Sequence, residues 1–519
     1  MSRFSAAEAT SRAAEPAGRP RARPPLRSAA ATVALAAAVS AGVALRFIAS
    51  SPLWLDEAQS VAIAGLPLHR LPQSLKVDGS PPLYYACLHL WMTAFGTGTV
   101  AVRSLSGVIS VLSLPLFWLW GTVLGRTTRI GAYALAIASV NPWLIRYATE
   151  TRMYSLVVLL VLLFGITLHR MRERPTLGRG APVALTGGLL LLTHYWAIFL
   201  LAATAALLTA NAIARPARRR DLRSALAVIA AALPFLPWAP IFTFQARHTG
   251  TPWATAPTLH ALTSLVGTWS AGGRPVHAPL SLLLWPLLGT ALLVRLPDGR
   301  RPALPLAAVT AVTLAIAFAA CTFTDSAFTG RYTAVVVPAV LSIAALALTA
   351  LPRRYLTPVL ATLCAAWLTV AVIQAGIPRT QARQIADVIN HQAAPGDTVV
   401  YCPDQLSPST SRLVRRDVHE IPFPTAGDPS FVNWIDYGRR NHNASPSAFA
   451  TALPDRLPPA AHLWLVTTDG YQTYGNKCTQ LAHSLASRLG TPRTVVEPDR
   501  QTTYESATVL RFDSPAAHA

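Results

Sequence analysis

The sequence predicts a mainly α-helical, polytopic membrane protein. It forms a bundle of about eleven transmembrane helices, with a small α/β domain at its C-terminal end. Three observations support this fold class. Hydrophobic residues make up 52% of the 519 residues and charged residues only 13%, whereas soluble proteins carry about 25% charged residues. Apolar segments of membrane-spanning length follow one another over most of the chain. From about residue 379 onwards, short apolar runs alternate with amphipathic ones.

The charge balance is strongly basic. The chain has 44 Lys and Arg against 23 Asp and Glu, which gives a formal net charge of +21. A basic chain can indicate a nucleic-acid partner, but here most basic residues lie between long apolar runs, as membrane topology requires. The composition therefore excludes an ordinary cytosolic enzyme, a disordered protein and a nucleic-acid-binding domain.

The N-terminal residues 1–27 are rich in Arg, Pro and Ala and lack an apolar face, which predicts a disordered cytoplasmic tail. The apolar run that follows has no good small-residue cleavage site, so we interpret it as a first transmembrane helix. Residues 28–378 are predicted to form the transmembrane domain. Its candidate spans are 28–48, 102–124, 130–148, 154–170, 181–194, 196–214, 223–242, 278–295, 303–322, 332–351 and 356–376.

The loops between these spans predict the orientation. If the N-terminus is cytoplasmic, every inside loop carries at least two arginines, for example Arg126 and Arg129, or Arg353 and Arg354. This is the distribution that the positive-inside rule describes. The prediction is a multi-pass protein of the cell (cytoplasmic) membrane. An odd number of helices places the C-terminal domain outside the cytoplasm, and the segment 50–100 becomes a large first outer loop.

Residues 379–519 are predicted to form the extracytoplasmic α/β domain. "GDTVVYC", "AHLWLVTTDG" and "ATVLRF" are typical of strands, and "RQIADVINHQ" and "CTQLAHSLASRLG" of helices. Cys402 and Cys478 both fall in this domain, where an oxidising compartment permits a disulfide. The sequence leaves that pairing open, because it does not show whether the two Cα atoms come within reach.

The first outer loop carries acidic and aromatic residues. Asp56 and Glu57 lie just beyond the first helix in "SPLWLDEAQS", and "VDGSPPLYYACLHLWMTAFG" contains Asp78, Tyr84 and Tyr85. One carboxylate of such a group can act as general base on an acceptor hydroxyl. The alternative is a solvated surface or, for Asp56, a helix N-cap.

Other outer helix ends carry matching groups. Their sequences are "NPWLIRYATETRMYS", "THYW" and "TDSAFTGRYT", which bring Arg146, Glu150, Arg152, Tyr154, His194, Tyr195, Arg331 and Tyr332 to the same side. Taken singly, the tyrosines fit an aromatic belt and the histidine an interfacial packing role. Taken together, carboxylates, arginines and tyrosines on one face of an apolar bundle predict a polar site at the outer membrane surface.

The order of these motifs resembles that of bacterial membrane glycosyltransferases of the GT-C class, in particular the protein O-mannosyltransferase and lipid A aminoarabinose transferase types. The matching segments are "WLDEAQS", "DGSPPLYYACLHLW", "AVRSLSG", "NPWLIRYATETRMYSL", "THYW" and "FTGRYTAVVVPA". The resemblance covers the membrane part and is strongest over residues 50–160. It implies a hexosyl- or pentosyltransferase that uses a polyprenyl-phosphate-linked sugar as donor.

The resemblance also implies roles for the outer residues. Asp56 corresponds to the catalytic base of the family, and Glu57 lies beside it. Asp78 corresponds to the second acidic position of the family. Ser80 stands where family members often have His. The arginines implied to hold the donor phosphate are Arg152 and Arg331, then Arg103 and Arg146. The residues implied to bind substrate are Tyr84, Tyr85, Glu150, Tyr154, His194, Tyr195 and Tyr332.

The implied reaction is a single inverting displacement of polyprenyl phosphate by an acceptor hydroxyl on a glycan, a glycolipid or a protein. The sugar and the acceptor stay unassigned, and so does any metal: Asp56 with Asp78 offers oxygen ligands of the kind that divalent ions prefer. A transporter or flippase for a lipid-linked sugar is the main alternative, although it would be expected to show internal repeats and mid-membrane charges. A scaffold protein would leave the acid and arginine pattern unexplained.

Overall fold

The computed structural model of the chain describes most of the sequence. The described residues are 26–215, 219–254, 256–272, 281–453 and 461–513. Of the tail predicted for residues 1–27, residues 1–25 lie outside this part, and the last two residues already belong to the first helix.

The segment predicted as a large outer loop is folded into helices. The first elements are α1 (Leu26–Leu45), α2 (Leu55–Ala64), α3 (Leu71–Asp78) and α4 (Leu83–Phe95). Helix α2 begins after Trp54, which provides no side-chain cap, and Asp56 and Glu57 lie in its first turn. Carboxylates are favourable there because they face the positive end of the helix dipole. Asp56 is therefore not the N-cap residue of this helix.

The next part of the bundle contains most of the long helices. These elements are α5 (Thr99–Gly125), α6 (Thr128–Val140), α7 (Pro142–Ala148), α8 (Tyr154–Glu173), α9 (Leu177–Leu191), α10 (Ala197–Ala214), α11 (Arg219–Ile229), α12 (Ala232–Phe235) and α13 (Ala239–His248). The predicted span 130–148 is broken at Asn141. The Asn141 side chain accepts a hydrogen bond from Leu144 N at 3.0 Å and donates one to Trp269 O at 2.9 Å. With Pro142 at the first helical position, a new helix starts there.

The bundle is completed by α14 (Leu259–Thr263), α15 (Leu265–Ala271), α16 (Ser281–Leu293), α17 (Ala303–Phe323), α18 (Val337–Ala347) and α19 (Arg353–Gly376). Six helices of the described chain are long and apolar enough to cross a membrane, namely Thr99–Gly125, Tyr154–Glu173, Ala197–Ala214, Arg219–His248, Ala303–Phe323 and Arg354–Gly376. Five shorter apolar helices occupy the remaining predicted spans, namely Thr32–Leu45, Thr128–Val140, Leu177–Leu191, Leu283–Leu293 and Val337–Ala350. Each predicted span therefore overlaps an apolar helix, although the span 130–148 is divided between α6 and α7.

Helices α5, α6 and α8 form the centre of the bundle, where α5 packs along both of the others. Small residues allow α5 and α6 to approach closely: a Cβ at Gly121 would lie 2.9 Å from the Cβ of Ala134. Close helix contacts of this kind are what stabilise packing where lipid removes the hydrophobic driving force. The buried core continues into α2 and α4, for example at Tyr84 and Leu88. The site described below therefore lies on elements that are packed into the core of the bundle.

The C-terminal part is an α/β domain, as predicted. Its elements are α20 (Ala382–Gln392), β1 (Thr398–Cys402), α21 (Ser407–Ser411), β2 (His419–Pro422), α22 (Tyr437–Asn443), α23 (Pro446–Ala452), β3 (Leu463–Thr467), α24 (Lys477–Leu489), β4 (Arg493–Val496) and β5 (Thr508–Phe512). The strand order is β2-β1-β3-β5-β4. Strands β2, β1 and β3 are parallel, and β5 and β4 continue the sheet antiparallel.

Apolar clusters cover both faces of this sheet. The predicted strands correspond to β1, β3 and β5 and the predicted helices to α20 and α24, the latter ending at Gly490 as its sequence indicates. Sequence analysis missed β2 and β4, which are only four residues long and partly exposed. The structure joins Cys402 and Cys478 in a disulfide, with Cα atoms 5.4 Å apart.

The C-terminal domain packs against the helices of segment 50–100. Gln59 of α2 uses both ends of its amide on one residue: Oε1 accepts from Val432 N at 3.0 Å and Nε2 donates to Val432 O at 3.3 Å. Nearby, Asp436 N donates to His248 O at 2.7 Å. Helix α2, which carries the predicted base, is therefore an interface element between the bundle and the domain.

Candidate active site

Asp56 lies between two arginines. Its Oδ2 accepts a hydrogen bond from Arg331 Nη1 at 3.0 Å and lies 4.0 Å from Arg152 Nε. The Asp56 side chain keeps 18% of its surface exposed, and within the described residues its Oδ1 accepts no hydrogen bond. The first turn of α2 thus presents a carboxylate that is fixed on one oxygen and open on the other.

Arg331 is enclosed by aromatic rings. Its guanidinium carbon lies 5.7, 5.2 and 5.5 Å from the ring centres of Trp54, Trp253 and Tyr332. Rings at these distances attract a cation through their π faces. They hold a permanently charged group beside Asp56 with little competition from water.

Arg152 connects Asp56 to Asp78. Its Nη1 donates to Ser60 Oγ at 3.0 Å and to Tyr85 OH at 3.2 Å, and the Tyr85 hydroxyl donates to Asp78 Oδ2 at 3.0 Å. Burial raises the pKa of Tyr85, which keeps the phenol protonated as this chain of donors requires. Gln59 Nε2 donates to the other Asp78 oxygen at 2.5 Å. Asp78 is therefore bound to neutral donors on both oxygens.

Glu57 has a different environment from its neighbour. It is fully buried, and Arg103 binds it through two hydrogen bonds, Nε to Oε1 at 2.8 Å and Nη2 to Oε2 at 2.6 Å. Thr151 N adds a hydrogen bond at 2.9 Å, and Arg379 Nη1 lies 3.7 Å away. Burial alone would raise the pKa of Glu57, but Arg103, Arg379 and the Thr151 N–H together outweigh it, and the pKa lies below its ordinary value. Glu57 is thus a buried anion with no free face.

The Arg103 guanidinium also binds other groups within the protein. Besides Glu57, its nitrogens donate to Ser51 O at 2.6 Å and to Pro52 O at 3.0 Å. Only 6% of the residue is exposed. Arg103 was predicted to bind the donor phosphate. In the structure it instead forms an internal ion pair that holds the start of α2 against α5.

Glu150 lies between Arg146 and Arg379. The distances from its Oε2 are 3.7 Å to Arg146 Nε and 4.0 Å to Arg379 Nη1. Both Glu150 oxygens are buried, and neither has a hydrogen-bond partner among the described residues. Burial raises the pKa of Glu150. Arg146 also lies 5.3 Å from the ring centre of Tyr504 of the C-terminal domain.

The predicted aromatic residues divide into two groups. His194 lies beside Tyr154 and Tyr332, with ring centres 5.9 and 5.1 Å apart. Its Nδ1 accepts from Trp196 N at 3.1 Å. The imidazole is buried, with only 7% of the residue exposed.

Tyr84 and Tyr195 form the second group, and neither lies at Asp56. The buried Tyr84 hydroxyl is 2.9 Å from Ser106 Oγ. The Tyr195 hydroxyl donates to Gln245 Oε1 and accepts from Trp238 Nε1 at 2.9 Å. These contacts brace neighbouring helices, which differs from the substrate-binding role implied by the family resemblance.

Sequence analysis missed functional neighbours that come from the C-terminal side. Arg379 follows the last apolar helix, and its guanidinium donates to Thr149 O at 2.8 Å and to Thr149 Oγ1 at 2.6 Å. A search for charged residues next to the predicted outer ends of the apolar helices would also have identified Arg379. Tyr504 and Glu505 lie in an irregular segment before β5, and no local pattern marks them. Within the described residues, no group of three or more His, Cys, Asp or Glu side chains could hold a metal ion.

Comparison with known proteins identifies the fold. No protein-family model matches the sequence, and a sequence comparison with curated proteins gives no match. Among solved structures, the chain is similar to ArnT from Cupriavidus metallidurans bound to undecaprenyl phosphate, with a TM-score of 0.57 and 13% identity over 93% of this chain and 98% of that one. The apo state of the same protein gives a TM-score of 0.56, also at 13% identity and with the same coverage of both chains.

A second similar structure is the arabinofuranosyltransferase AftD from Mycobacteria. The TM-score is 0.53 at 13% identity, and the match covers 92% of this chain but 40% of that larger one. Both are GT-C glycosyltransferases. The chain therefore has the fold of the GT-C class of polytopic membrane glycosyltransferases, as the sequence motifs indicated.

Proposed function

We propose that the protein transfers a sugar from a polyprenyl-phosphate-linked donor to an acceptor hydroxyl at the outer face of the cell membrane. The observation that carries the proposal is the Asp56 carboxylate held beside Arg331 and Arg152 on an apolar bundle. The reaction needs a base for the acceptor and cations for the leaving phosphate, and this arrangement supplies both. The GT-C fold supports the same reaction class, and the similar ArnT structure contains undecaprenyl phosphate.

The proposed mechanism is a single displacement with inversion. Asp56 Oδ1, the oxygen that Arg331 leaves open, takes the proton of the acceptor hydroxyl. The acceptor oxygen then forms the new bond to the anomeric carbon as the bond from that carbon to the phosphate oxygen breaks. Polyprenyl phosphate leaves with the bonding electron pair, and its added charge is stabilised by guanidinium groups.

We assign the phosphate to Arg331 and Arg152. Arg331 uses one nitrogen on Asp56, and Arg152 Nε is buried without a hydrogen-bond partner among the described residues. Each therefore keeps donor capacity for a ligand. Arg103 is a poorer candidate, because Glu57 and two backbone carbonyls take four of its five N–H donors and only 6% of the residue is exposed. We propose that this pair positions α2 and takes no part in proton transfer.

The assignment of Arg331 predicts a loss of donor binding. Arg331→Ala removes a charge-assisted partner of the phosphate, which typically contributes about 1.5–3 kcal/mol. The dissociation constant for the polyprenyl-phosphate donor should rise by about 10- to 150-fold, measured by titration in nanodiscs. The matched control is Arg439→Ala, which removes an arginine that is 73% exposed and pairs with Asp436. Equal affinities for Arg331→Ala and the control would contradict the assignment.

The outer-face location predicts the topology of the chain. A reporter enzyme that works only outside the cytoplasm should be active when fused after Ala519 and inactive when fused after Arg174, because Arg174 lies in a predicted basic inside loop. A cytoplasmic fluorescent reporter should give the opposite pattern at both positions. Activity of the first reporter after Arg174 would reverse the orientation and move the site to the cytoplasmic face.

The test of the function is transfer by the purified protein. Polyprenyl phosphates carrying hexoses or pentoses are offered with glycan, glycolipid or peptide acceptors, and release of polyprenyl phosphate is measured together with the glycosylated product. A flippase is the alternative, and it would carry the labelled lipid across the bilayer with its glycosidic bond intact. Movement of intact lipid without release of polyprenyl phosphate would replace the proposed function by that alternative.

A further inference from the structure

Glu505 of the C-terminal domain reaches the helix that carries Asp56. Its Oε1 accepts a hydrogen bond from the backbone N of Leu55 at 3.0 Å, across 450 positions of sequence. Leu55 is the first residue of α2 and directly precedes Asp56. Glu505 is 5% exposed, so this contact is made away from solvent.

The contact replaces a missing helix cap. The first backbone N–H groups of a helix have no partner within it, and a side chain at the N-cap position usually accepts from one of them. Trp54 occupies that position in α2 and makes no side-chain cap. Glu505 supplies the acceptor from the other domain, and its carboxylate also faces the positive end of the helix dipole.

The backbone of Glu505 is fixed on both sides. Its N donates to Arg379 O at 3.2 Å, and its O accepts from Gln381 N at 2.9 Å. Arg379 in turn binds Thr149 through its guanidinium. The carboxylate therefore approaches α2 from a segment that is itself attached to the site.

The other Glu505 oxygen, Oε2, is buried and has no hydrogen-bond partner among the described residues. Burial raises the pKa of Glu505 to about 7, and the charge of Asp56 adds to this shift. The hydroxyls of Thr380 and Ser409 and the backbone N–H of Leu55 act in the opposite direction and lower the pKa. An acid that is buried at such a cost in solvation and directed at the start of α2 indicates a specific role for its contact with Leu55.

We infer that Glu505 is a positioning residue, which fixes the first turn of α2 so that Asp56 faces the acceptor hydroxyl. The catalytic part of this inference rests on the proposed function. A base acts efficiently only within hydrogen-bond reach of the proton it removes. A displacement of about 1 Å can lower a rate by about 100-fold, because the reacting atoms no longer approach correctly. Donor binding should change little, because Arg331 keeps its contacts with Trp253 and Tyr332 and Arg152 its contact with Tyr85, none of which lies on α2.

The experiment compares Glu505→Ala, Glu505→Gln and the control Glu420→Ala in the full-length protein. Glu420 is a partly buried acid of the same domain, bound by Tyr401 at 2.6 Å and Ser411 at 2.9 Å, and makes none of its hydrogen bonds to α2. Three quantities are measured for each protein in nanodiscs: amide hydrogen exchange of α2, affinity for the polyprenyl-phosphate donor, and kcat for transfer.

Glu505→Ala should speed exchange at the start of α2 by about tenfold, as expected for the loss of one hydrogen bond. It should lower kcat by about 10- to 100-fold while donor affinity stays within about twofold. Glu505→Gln should keep the exchange rate of α2 and the kcat close to those of the wild-type protein, because its amide oxygen accepts from Leu55 N in the same way. Glu420→Ala should leave α2 exchange unchanged.

Two results would overturn the inference. One is unchanged exchange of α2 in Glu505→Ala, and the other is a kcat no lower than that of Glu420→Ala. Failure of the proposed function looks different: the wild-type protein would then transfer no sugar, while the exchange measurement would still decide whether Glu505 holds α2.

Discussion

Asp56→Asn is expected to lower the transfer rate by about 10²- to 10⁴-fold, the usual contribution of general base catalysis. The amide keeps the size of the carboxylate and its contact with Arg331, but it does not take the acceptor proton. Donor affinity should stay equal or increase, because Arg331 and Arg152 lose the anion between them. The measurement is transfer kinetics with donor titration in nanodiscs.

Asp436→Asn is the matched control for this substitution. Asp436 is a partly exposed acid of the C-terminal domain paired with His248 and Arg439, and its loss should leave transfer unchanged. Near-normal turnover of Asp56→Asn would show that the base lies elsewhere. Asp78 would then be the leading candidate, because Glu57 has no exposed surface from which to meet a substrate.

Glu57→Ala is expected to destabilise the fold by about 3–5 kcal/mol, the usual result of removing one partner of a buried ion pair. Arg103 would lose both of its carboxylate contacts, and Arg379 its neighbour at 3.7 Å. Two buried cations would then lie close together without the anion between them. The expected observation is a lower midpoint of thermal unfolding in detergent, with loss of activity that follows the loss of folded protein.

The control for Glu57 is Asp298→Ala, which removes a partly exposed acid paired with Arg300 and Arg126. Solvent screens such pairs, so the unfolding midpoint should hardly change. If Glu57→Ala instead kept full thermal stability and lost transfer, Glu57 would be part of the chemistry, and its assignment as a positioning residue would be wrong.

Much of the fold could be predicted because membrane constraints act on local sequence. A span needs a continuous apolar run, so each of the eleven candidate spans overlaps an apolar helix. Strands β1 and β3 were found for a similar reason, since they are buried along most of their length, and β5 was found although only Val509 and Phe512 are buried in it. The break between α6 and α7 was missed because the apolar run continues through Asn141, and the contact of Asn141 with Trp269 is visible only in three dimensions.

The candidate site was predictable as a region but not as a set of partners. Charged groups at outer helix ends marked Asp56, Arg152 and Arg331 correctly as neighbours. The sequence did not distinguish the adjacent acids Asp56 and Glu57. Successive residues of a helix point about 100° apart, so one of the two faces the open site and the other the interior. The packing of α2 against Arg103 determines that Glu57 faces the interior and Asp56 the open site.

The attachment of α2 at two points has a mechanical consequence. Glu505 holds its first residue, and Gln59 grips the main chain at Val432. The Gln59 contacts use only backbone atoms of Val432, whose side chain is buried in the apolar core of the C-terminal domain. Helix α2 thus has two attachment points in the C-terminal domain, so a displacement of that domain would also displace the helix that carries Asp56.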